Sequence, residues 1–179
     1  MNHLRLILFI LLFLSTLQAQ DDSTRAVEWG YLDSLAGVYY FDEIPYSGPV
    51  VKQLDIGLMA GEFKDGIKHG LWQTLNQIGD PIMIGHFDNG KKHGIQKRWY
   101  EDGQLEMIYN YYYGKLDGLQ KKWHSNGRIK GEWHYKDDKL HGVVKEWYPN
   151  KQLKFTKKYE SGTLIEVVDN YNPDGTVVQ

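Results

Sequence analysis

Hydrophobic and polar positions alternate most clearly in one stretch of the chain, residues 114–137. Its two halves each alternate residue by residue, and a Ser-Asn-Gly break separates them. Two alternating runs around a glycine-containing break are typical of a β-hairpin with one apolar face. The residues assigned to that apolar face are Leu119, Lys121, Trp123, Ile129, Gly131, Trp133 and Tyr135.

The length of the hairpin loop follows from the requirement that facing residues share a face of the sheet. A two-residue loop would place Trp123 opposite a lysine and mix the two faces. A three-residue loop at 125–127 pairs Trp123 with Ile129 and Leu119 with Trp133. Such a loop ends in a left-handed residue, a conformation that glycine adopts at little cost, so we predict the three-residue form.

The same loop length suits the neighbouring hairpins, where it pairs Trp99 with Leu105 and Trp147 with Leu153. In the second of these, Lys151 stands where glycine is expected, which predicts a left-handed lysine and a strain of about 1 kcal/mol. A second set of tight turns, rich in Asp, Asn and Gly, is predicted at 64–66, 88–90 and 136–138.

The hairpin is one copy of a unit that recurs every 24 residues. Four registers keep this step: Gly66, Gly90, Gly114 and Gly162, with Asp138 in the missing slot; Gly70, Gly94, Gly118 and Gly142; Gly79, Gly103 and Gly127; and Phe63, Phe87, Tyr111, Tyr135 and Tyr159. A fixed period over about a hundred residues is the mark of a repeat protein. We therefore predict an all-β fold, an elongated single antiparallel sheet of tandem 24-residue hairpins.

The ends of this array are less regular, as terminal repeats often are. We predict a cap segment at 21–45, a repeat domain at 46–161, and a degenerate last repeat or tail at 162–179 whose turn lies at 172–175. Within the cap, residues 29–36 are expected to form a short helix or a loop over the first edge. Residues 37–42 and 49–54 are expected to be the two strands of a degenerate first unit.

The segment GEFKDGIKHG, residues 61–70, resembles the MORN repeat, whose core places an aromatic residue before a turn and a Gly-x-x-x-Gly step. The 24-residue units with Asn-Gly or Asp-Gly turns are similar to the bacterial MORN repeat variant, including its YwqK-like antitoxin subfamily. The resemblance covers roughly residues 46–161. It implies a non-catalytic module that accompanies enzyme domains or membrane-associated scaffolds, and for the subfamily an antitoxin role.

The first 20 residues have the pattern of a secretory signal peptide. A basic start precedes an apolar run at 6–14, and small residues end at Ala19. The alternative is an uncleaved anchor, but nine apolar residues fall short of the ~20 that span a bilayer. We expect cleavage after Ala19 or Gln20 and export to the periplasm, the cell surface or the medium.

The composition excludes several classes of site, and the charged residues are unevenly distributed along the chain. The chain has no cysteine, which excludes disulfides, thiolate metal sites and cysteine nucleophiles. Residues 21–90 carry a net charge of −7, residues 91–158 a net +8, and residues 159–179 a net −4. A basic middle can attract an anionic partner, although Lys on alternating solvent faces would give the same count.

One repeat position holds histidine in three units and aspartate in the fourth: His69, His93, Asp117 and His141. Such a set resembles metal ligands, but equivalent positions lie two strands apart, roughly 9–10 Å. Ligands must approach a metal to about 2 Å, so neighbours could not share an ion. We expect these residues to bond the loops between hairpins and predict no metal site.

Aromatic residues and lysines of the middle repeats form the predicted binding face. Its members are Trp99, Trp123, Trp133, Trp147, Tyr109, Tyr111, Tyr135, Lys97, Lys121 and Lys145. Lysines between aromatic residues are expected to lay their stems on the rings and reach water with their amines. Such a trough would suit a sugar chain or a peptide; the alternative is ordinary sheet packing.

The sequence predicts a protein that binds and does not catalyse. The G-x-S-x-G element is absent, and the glycines follow turn chemistry with no phosphate-binding loop. The leading hypothesis is a protein-interaction or scaffold module of the cell envelope. The alternatives are a binder of anionic envelope glycans or lipids and an antitoxin or immunity partner; we expect no cofactor and no nucleic-acid ligand.

Overall fold

The computed structural model describes residues 25–178, and these residues form β-strands with one short 3-10 turn at Trp29–Tyr31. No helix in this part of the chain is long and apolar enough to cross a membrane. The predicted signal peptide at 1–20 and the start of the predicted cap lie outside the described residues. The strands are β1 (Val27–Glu28), β2 (Asp33–Leu35), β3 (Val38–Phe41), β4 (Ile44–Pro45), β5 (Gly48–Leu54), β6 (Gly57–Lys64), β7 (Ile67–Asn76), β8 (Pro81–Asp88), β9 (Lys91–Trp99), β10 (Leu105–Tyr112), β11 (Lys115–Leu116), β12 (Gly118–Trp123), β13 (Ile129–Lys136), β14 (Lys139–Trp147), β15 (Leu153–Glu160) and β16 (Thr163–Asn170).

Thirteen strands belong to one large, mostly antiparallel sheet, and the remaining three form a small one in the order β2-β3-β4. The described residues divide into two compact units, one up to residue 91 and one from residue 92. In the first unit the large sheet runs β1-β5-β6-β7-β8, with β1 parallel to β5. In the second it runs β10-β12-β13-β14-β15-β16, with β9 and β11 also paired to β10. The predicted all-β class and antiparallel hairpin sheet are confirmed.

The three-residue hairpin loops form as predicted. The amide of His124 donates to the carbonyl of Arg128 at 2.8 Å, and the amide of Gly127 donates back to His124 at 2.9 Å. Trp123 therefore lies opposite Ile129, and Gly127 has a φ of +78°. The loops that begin after Asn76, Tyr100, Tyr148 and Asn172 repeat these two hydrogen bonds. Lys151 adopts the predicted left-handed conformation, with φ at +79°.

Two-residue turns with positive φ at both positions join successive hairpins, as predicted. At Asp65 and Gly66 the φ values are +52° and +74°, the combination that matches the twist of the flanking strands. The second turn residue also donates its amide to a carbonyl of the preceding repeat. These bonds are Gly66 to Tyr46, Gly90 to Lys68, Gly114 to Lys92, Asp138 to Leu116 and Gly162 to Leu140, at 2.7–3.0 Å.

The predicted pairing of Leu119 with Trp133 is wrong. Leu119 lies opposite His134, and Trp133 lies opposite Gln120, because Lys130 is an extra residue in a β-bulge just after the loop. An extra residue in one strand reverses which face the following side chains occupy. The bulge recurs at one repeat position in four hairpins, where the extra residues are Ile82, Glu106, Lys130 and Lys154.

The bulge separates the residues of the second unit into two faces. We call one side the tryptophan face; a row of directly opposed residues crosses it: Lys97, Ile108, Lys121, Glu132, Lys145 and Thr156. We call the other side the tyrosine face; the pair Gln96–Tyr109 and the row Gln120, Trp133, Val144 and Lys157 lie on it. The single apolar face predicted from alternation is therefore two faces.

Aromatic residues lie opposite glycines on the tyrosine face and on its counterpart in the first unit. The pairs are Gly70–Phe87, Gly94–Tyr111, Gly118–Tyr135 and Gly142–Tyr159. These glycines have φ between +66° and +98°, a region that side-chain-bearing residues rarely adopt. The Gly-x-x-x-Gly step thus places one glycine in a turn and the other opposite an aromatic residue.

The first unit has a buried aromatic core. Phe63 and Trp72 pack with Val50 and Leu32, and Trp29 lies edge-on to Phe63 at 5.5 Å and to Trp72 at 5.7 Å. The 3-10 turn carries Trp29 into this core.

Strand β3 does not pair with β5. It pairs with β2 and β4 in the small sheet, so the prediction that 37–42 and 49–54 form one hairpin unit is wrong. Leu32, Trp29 and Tyr39 of the cap pack onto the repeat sheet, which explains why the strands of the cap do not continue the repeat.

Candidate functional site

The predicted binding residues lie on both faces of the second unit. Six of them occupy the tryptophan face: Trp99, Trp123, Trp147, Lys97, Lys121 and Lys145. The other four occupy the tyrosine face: Trp133, Tyr109, Tyr111 and Tyr135. Their role in binding stays a prediction, but the structure does not bring all ten together.

A row of large apolar side chains lies at the hairpin-loop end of the tryptophan face. Trp99 is opposite Leu105, Trp123 is opposite Ile129, and Trp147 is opposite Leu153. All six side chains are half-buried, so each still exposes apolar surface. The three tryptophans occupy one repeat position, which the unbulged first strand of each hairpin places on the same side.

Next to this row lies a row of lysines. Lys97 and Lys145 are exposed and have no ion-pair partner within residues 25–178. Lys121 is half-buried, and its Nζ lies 2.7 Å from Oε1 of Glu132. Glu132 is also directly opposite Lys145. The carboxylate therefore neutralises the centre of the row and leaves a cation on either side.

The tyrosine face buries a glutamine that sequence reasoning assigned to solvent. The Gln120 side chain is only 1% exposed, and its Nε2 donates to the carbonyls of Asn110 and Gly118, each at 3.1 Å. The amide of Asn110 donates to Oε1 of Gln120 at 2.7 Å. Gln96, one repeat earlier, is buried as well. A glutamine beside a lysine gives no sequence signal of burial; only the occupants of the same repeat position elsewhere, Trp72 and Val144, could have indicated it.

Two tyrosines of this face are partly shielded from water. Burial raises the pKa of Tyr111 above its usual value, with a smaller contribution from the charge of Asp138. Burial also raises the pKa of Tyr135. Both phenols are therefore neutral hydrogen-bonding groups at neutral pH.

An ion cluster at one bulge was also missed. Glu106 is nearly buried, and its carboxylate lies 2.9 Å from Nε of Arg98 and 3.2 Å from Nζ of Lys122. These cations come from β9 and β12, on either side of Glu106 in β10. The bulge brings Glu106 between them, so simple alternation could not predict the contact.

Of the four residues at the His/Asp position, His93 and Asp117 contact residues at the turns between hairpins, as expected. His93 accepts a hydrogen bond from the amide of Tyr113 at 3.5 Å, and Asp117 pairs with Lys136 at 2.8 Å. The Nδ1 atom of His69 is buried and lies 3.9 Å from Oδ1 of Asp88, which is too far for a hydrogen bond. No described group of three or more His, Cys, Asp or Glu side chains could hold a metal ion.

Ion pairs at this edge shift two pKa values. The hydrogen bond and charge of Asp117 raise the pKa of Lys136, and those of Lys115 lower the pKa of Asp137. Both pairs join neighbouring repeats at the solvent surface, where such pairs contribute little to stability.

These features together define a protein built from antiparallel hairpin repeats, with side chains displayed on two faces of a sheet. Residues 92–111, 116–137 and 140–161 each match the model of the MORN repeat variant. This part of the chain therefore consists of MORN-variant repeats, as the sequence resemblance implied. The match identifies the repeat and not the YwqK-like subfamily. No curated protein matches the chain.

Proposed function

We propose that the chain is a non-catalytic, exported repeat protein that binds a protein partner through the tryptophan face of residues 92–161. In this role it acts as an interaction or scaffold module of the cell envelope. The observation that carries the proposal is the row of three tryptophans and three aliphatic residues that stays half-exposed on one face.

The composition of this row suits a protein interface. Tryptophan is enriched among the residues that contribute most to binding energy, and such residues lie at the centre of a patch with a polar rim. Here the lysine row and the loops at 101–103, 125–127 and 149–151 supply the rim. Because Lys97 and Lys145 are exposed beside the tryptophans, the partner surface should carry acidic residues.

Export is the part of the proposal that rests on the amino-terminal sequence alone. A basic start, an apolar run at 6–14 and small residues before position 20 favour a cleaved leader. If the subfamily's antitoxin role applies, the partner would be an exported toxin. The partner's identity would decide between a scaffold and an immunity protein.

The second candidate is an anionic glycan or lipid bound to the same face. It is favoured by the two exposed lysines and by the net charge of +8 over residues 91–158. Glu132 at the centre of the lysine row weakens this candidate, because its carboxylate neutralises Lys121 and leaves an anionic chain only two cations in the row.

The test is a pair of tryptophan substitutions on opposite faces. We expect a partner from envelope extract to bind the wild-type chain and Trp133→Ala, and to be lost from Trp123→Ala. Far-UV circular dichroism checks that both variants remain folded. The proposal is wrong if Trp123→Ala retains the partner, or if both variants lose it equally.

Salt separates the two candidates. Contacts between apolar side chains should persist from 50 to 300 mM NaCl. Capture of an anionic glycan or lipid should weaken steeply over the same range, because the Debye length falls from about 14 Å to about 6 Å. Binding that disappears at 300 mM would favour the second candidate.

A further inference from the structure

One turn of the second unit differs from its repeat equivalents. The first residue of the two-residue turns has φ near +50° in every repeat, and it is Asp65, Asn89, Asp137 or Ser161 elsewhere. At position 113 it is a tyrosine, with φ at +45°. Asp and Asn tolerate this conformation because their short polar side chains bond locally, whereas a bulky side chain there is strained. Tyr113 is the only aromatic residue with positive φ among residues 25–178.

Tyr113 belongs to an exposed aromatic cluster at this turn. Its ring centroid lies 4.8 Å from that of His93 and 4.8 Å from that of Tyr112, with the two phenol rings nearly perpendicular. Tyr112 also lies 5.6 Å from His93. Tyr112 is 59% exposed and Tyr113 is 49% exposed, so the cluster presents ring surface to water.

Hydrogen-bond donors and acceptors surround these rings. Lys115 is directly opposite Tyr112, and its Nζ lies 3.0 Å from Oδ1 of Asp137. Lys136, at the end of β13, forms an ion pair with Asp117, which lies between β11 and β12. Lys115, Asp137 and Lys136 are exposed and Asp117 is half-buried, so these ion pairs contribute little to stability and their groups can exchange their partners for a ligand.

We propose that Tyr112, Tyr113 and His93 form a carbohydrate-binding site at the 113–114 turn, at the opposite end of the strands from the row of tryptophans. The C–H groups of a pyranose ring carry partial positive charge and stack on the electron-rich faces of phenol rings. Sugar hydroxyls both donate and accept, which matches a rim of lysines and aspartates. Lys115, Lys136 and Lys139 are balanced in charge by Asp117, Asp137 and Asp138, so the rim suits both neutral and acidic sugars.

The size of the patch favours a sugar over a protein partner. A stable protein interface buries about 800 Å² on each side. A whole tyrosine or tryptophan buries only ~150–250 Å², and here two half-exposed tyrosines and one histidine are available. A single sugar ring needs no more surface than this.

The backbone strain at Tyr113 gives the proposal a distinctive test. Strain that persists where a better residue is available is typical of functional positions, and relieving it stabilises the protein while reducing function. Tyr113→Asn restores the residue that the preceding repeat uses at position 89. We expect its melting temperature to rise by about 2–4 °C, the shift that relief of roughly 1 kcal/mol gives in a chain of this size.

The binding probes are a hexasaccharide of glucose and a hexasaccharide of galacturonate, titrated into the 15N-labelled full chain. We expect amide shifts at residues 93, 112 and 113, and at least tenfold weaker binding by Tyr113→Asn and by Tyr112→Ser. Tyr31→Ser is the matched control, because Tyr31 is an exposed tyrosine of the first unit. Its affinity should equal that of the wild type.

Binding of the galacturonate chain alone, with loss at 300 mM NaCl, would identify the lysines as the selective groups. Binding of both chains would identify ring stacking as sufficient, and either result supports the site. The proposal is overturned if neither hexasaccharide shifts these amides, or if Tyr113→Asn binds as well as the wild type.

Discussion

Gln120 occupies a buried repeat position that other repeats fill with different residue types. The same repeat position holds Trp72, Gln96, Gln120 and Val144, and all four are buried. Trp72 lies against Gly61, where an added Cβ would sit 2.2 Å from the indole. In the second unit Gln120 uses hydrogen bonds to backbone groups of β10 and β12 in place of ring packing.

Gln120→Ala should destabilise the chain by about 2–4 kcal/mol. The substitution leaves the amide of Asn110 and two carbonyls without their partner and opens a cavity, and these costs add. Urea unfolding measures the loss. Gln104→Ala is the control, because the Gln104 side chain is half-buried and bonds only to Leu105 at 3.4 Å. A control loss as large as that of Gln120→Ala would mean that burial of the amide is not the cause.

At the scale of the element, the hairpin loop fixes the backbone conformation of its last residue. That conformation determines how much backbone strain each residue type has at this position. Gly79, Gly103, Gly127 and Gly175 have φ between +78° and +91°, and Lys151 shares this conformation at +79°. The hydrogen bonds of the loop at Lys151 match those of the glycine loops. The loop therefore imposes the left-handed state whether or not the residue suits it.

Lys151→Gly should stabilise the chain by about 1 kcal/mol, because glycine reaches this conformation without strain. Gly103→Lys, the reverse change, should destabilise it by a similar amount. An added Cβ at Gly103 would meet no atom within 4 Å, so backbone strain is the only cost. Urea unfolding of both variants is the measurement. Equal stability of Gly103→Lys and the wild type would contradict the explanation.

The turns could be predicted from the sequence and the bulges could not, for a physical reason. Asn126 followed by Gly127 specifies positive φ at a defined place, so the loop and the Trp123–Ile129 pair follow. The bulge residues share no such requirement: Ile82, Glu106, Lys130 and Lys154 are chemically unrelated. Among the predicted binding residues, Lys97 and Trp99 lie on one face of the sheet as predicted, because no bulge separates them in β9. Trp133 and Tyr135 follow the bulge in β13 and therefore lie on the other face.

At the scale of the whole molecule, the repeat architecture limits how far a local change can spread. Within each unit, neighbouring hairpins are bonded through the sheet and through the turn amides. The cap adds Trp29, whose ring contacts Tyr39, Phe63 and Trp72, with Lys52 and Lys68 ammonium groups about 5 Å from it. These contacts all belong to the first unit.

Trp29→Ala should therefore weaken the first unit selectively. We expect hydrogen exchange to accelerate across residues 48–76 and to stay unchanged across 129–160, because stability in repeat proteins is a sum of local and nearest-neighbour contributions. Hydrogen exchange followed by mass spectrometry resolves the two regions. Equal acceleration in both would show that the chain unfolds as one cooperative body.

The β-bulges have a consequence for how such chains can change by mutation. Removing Lys130 alone would leave the loop and the Trp123–Ile129 pair intact and would bring Gly131 directly after Ile129, opposite Lys122 as it is now. Trp133 would keep its place opposite Gln120, so both faces of the hairpin would keep their side chains and only the irregularity of the strand would be lost. A deletion of three nucleotides could thus turn a bulged hairpin into a regular one without exchanging its two surfaces.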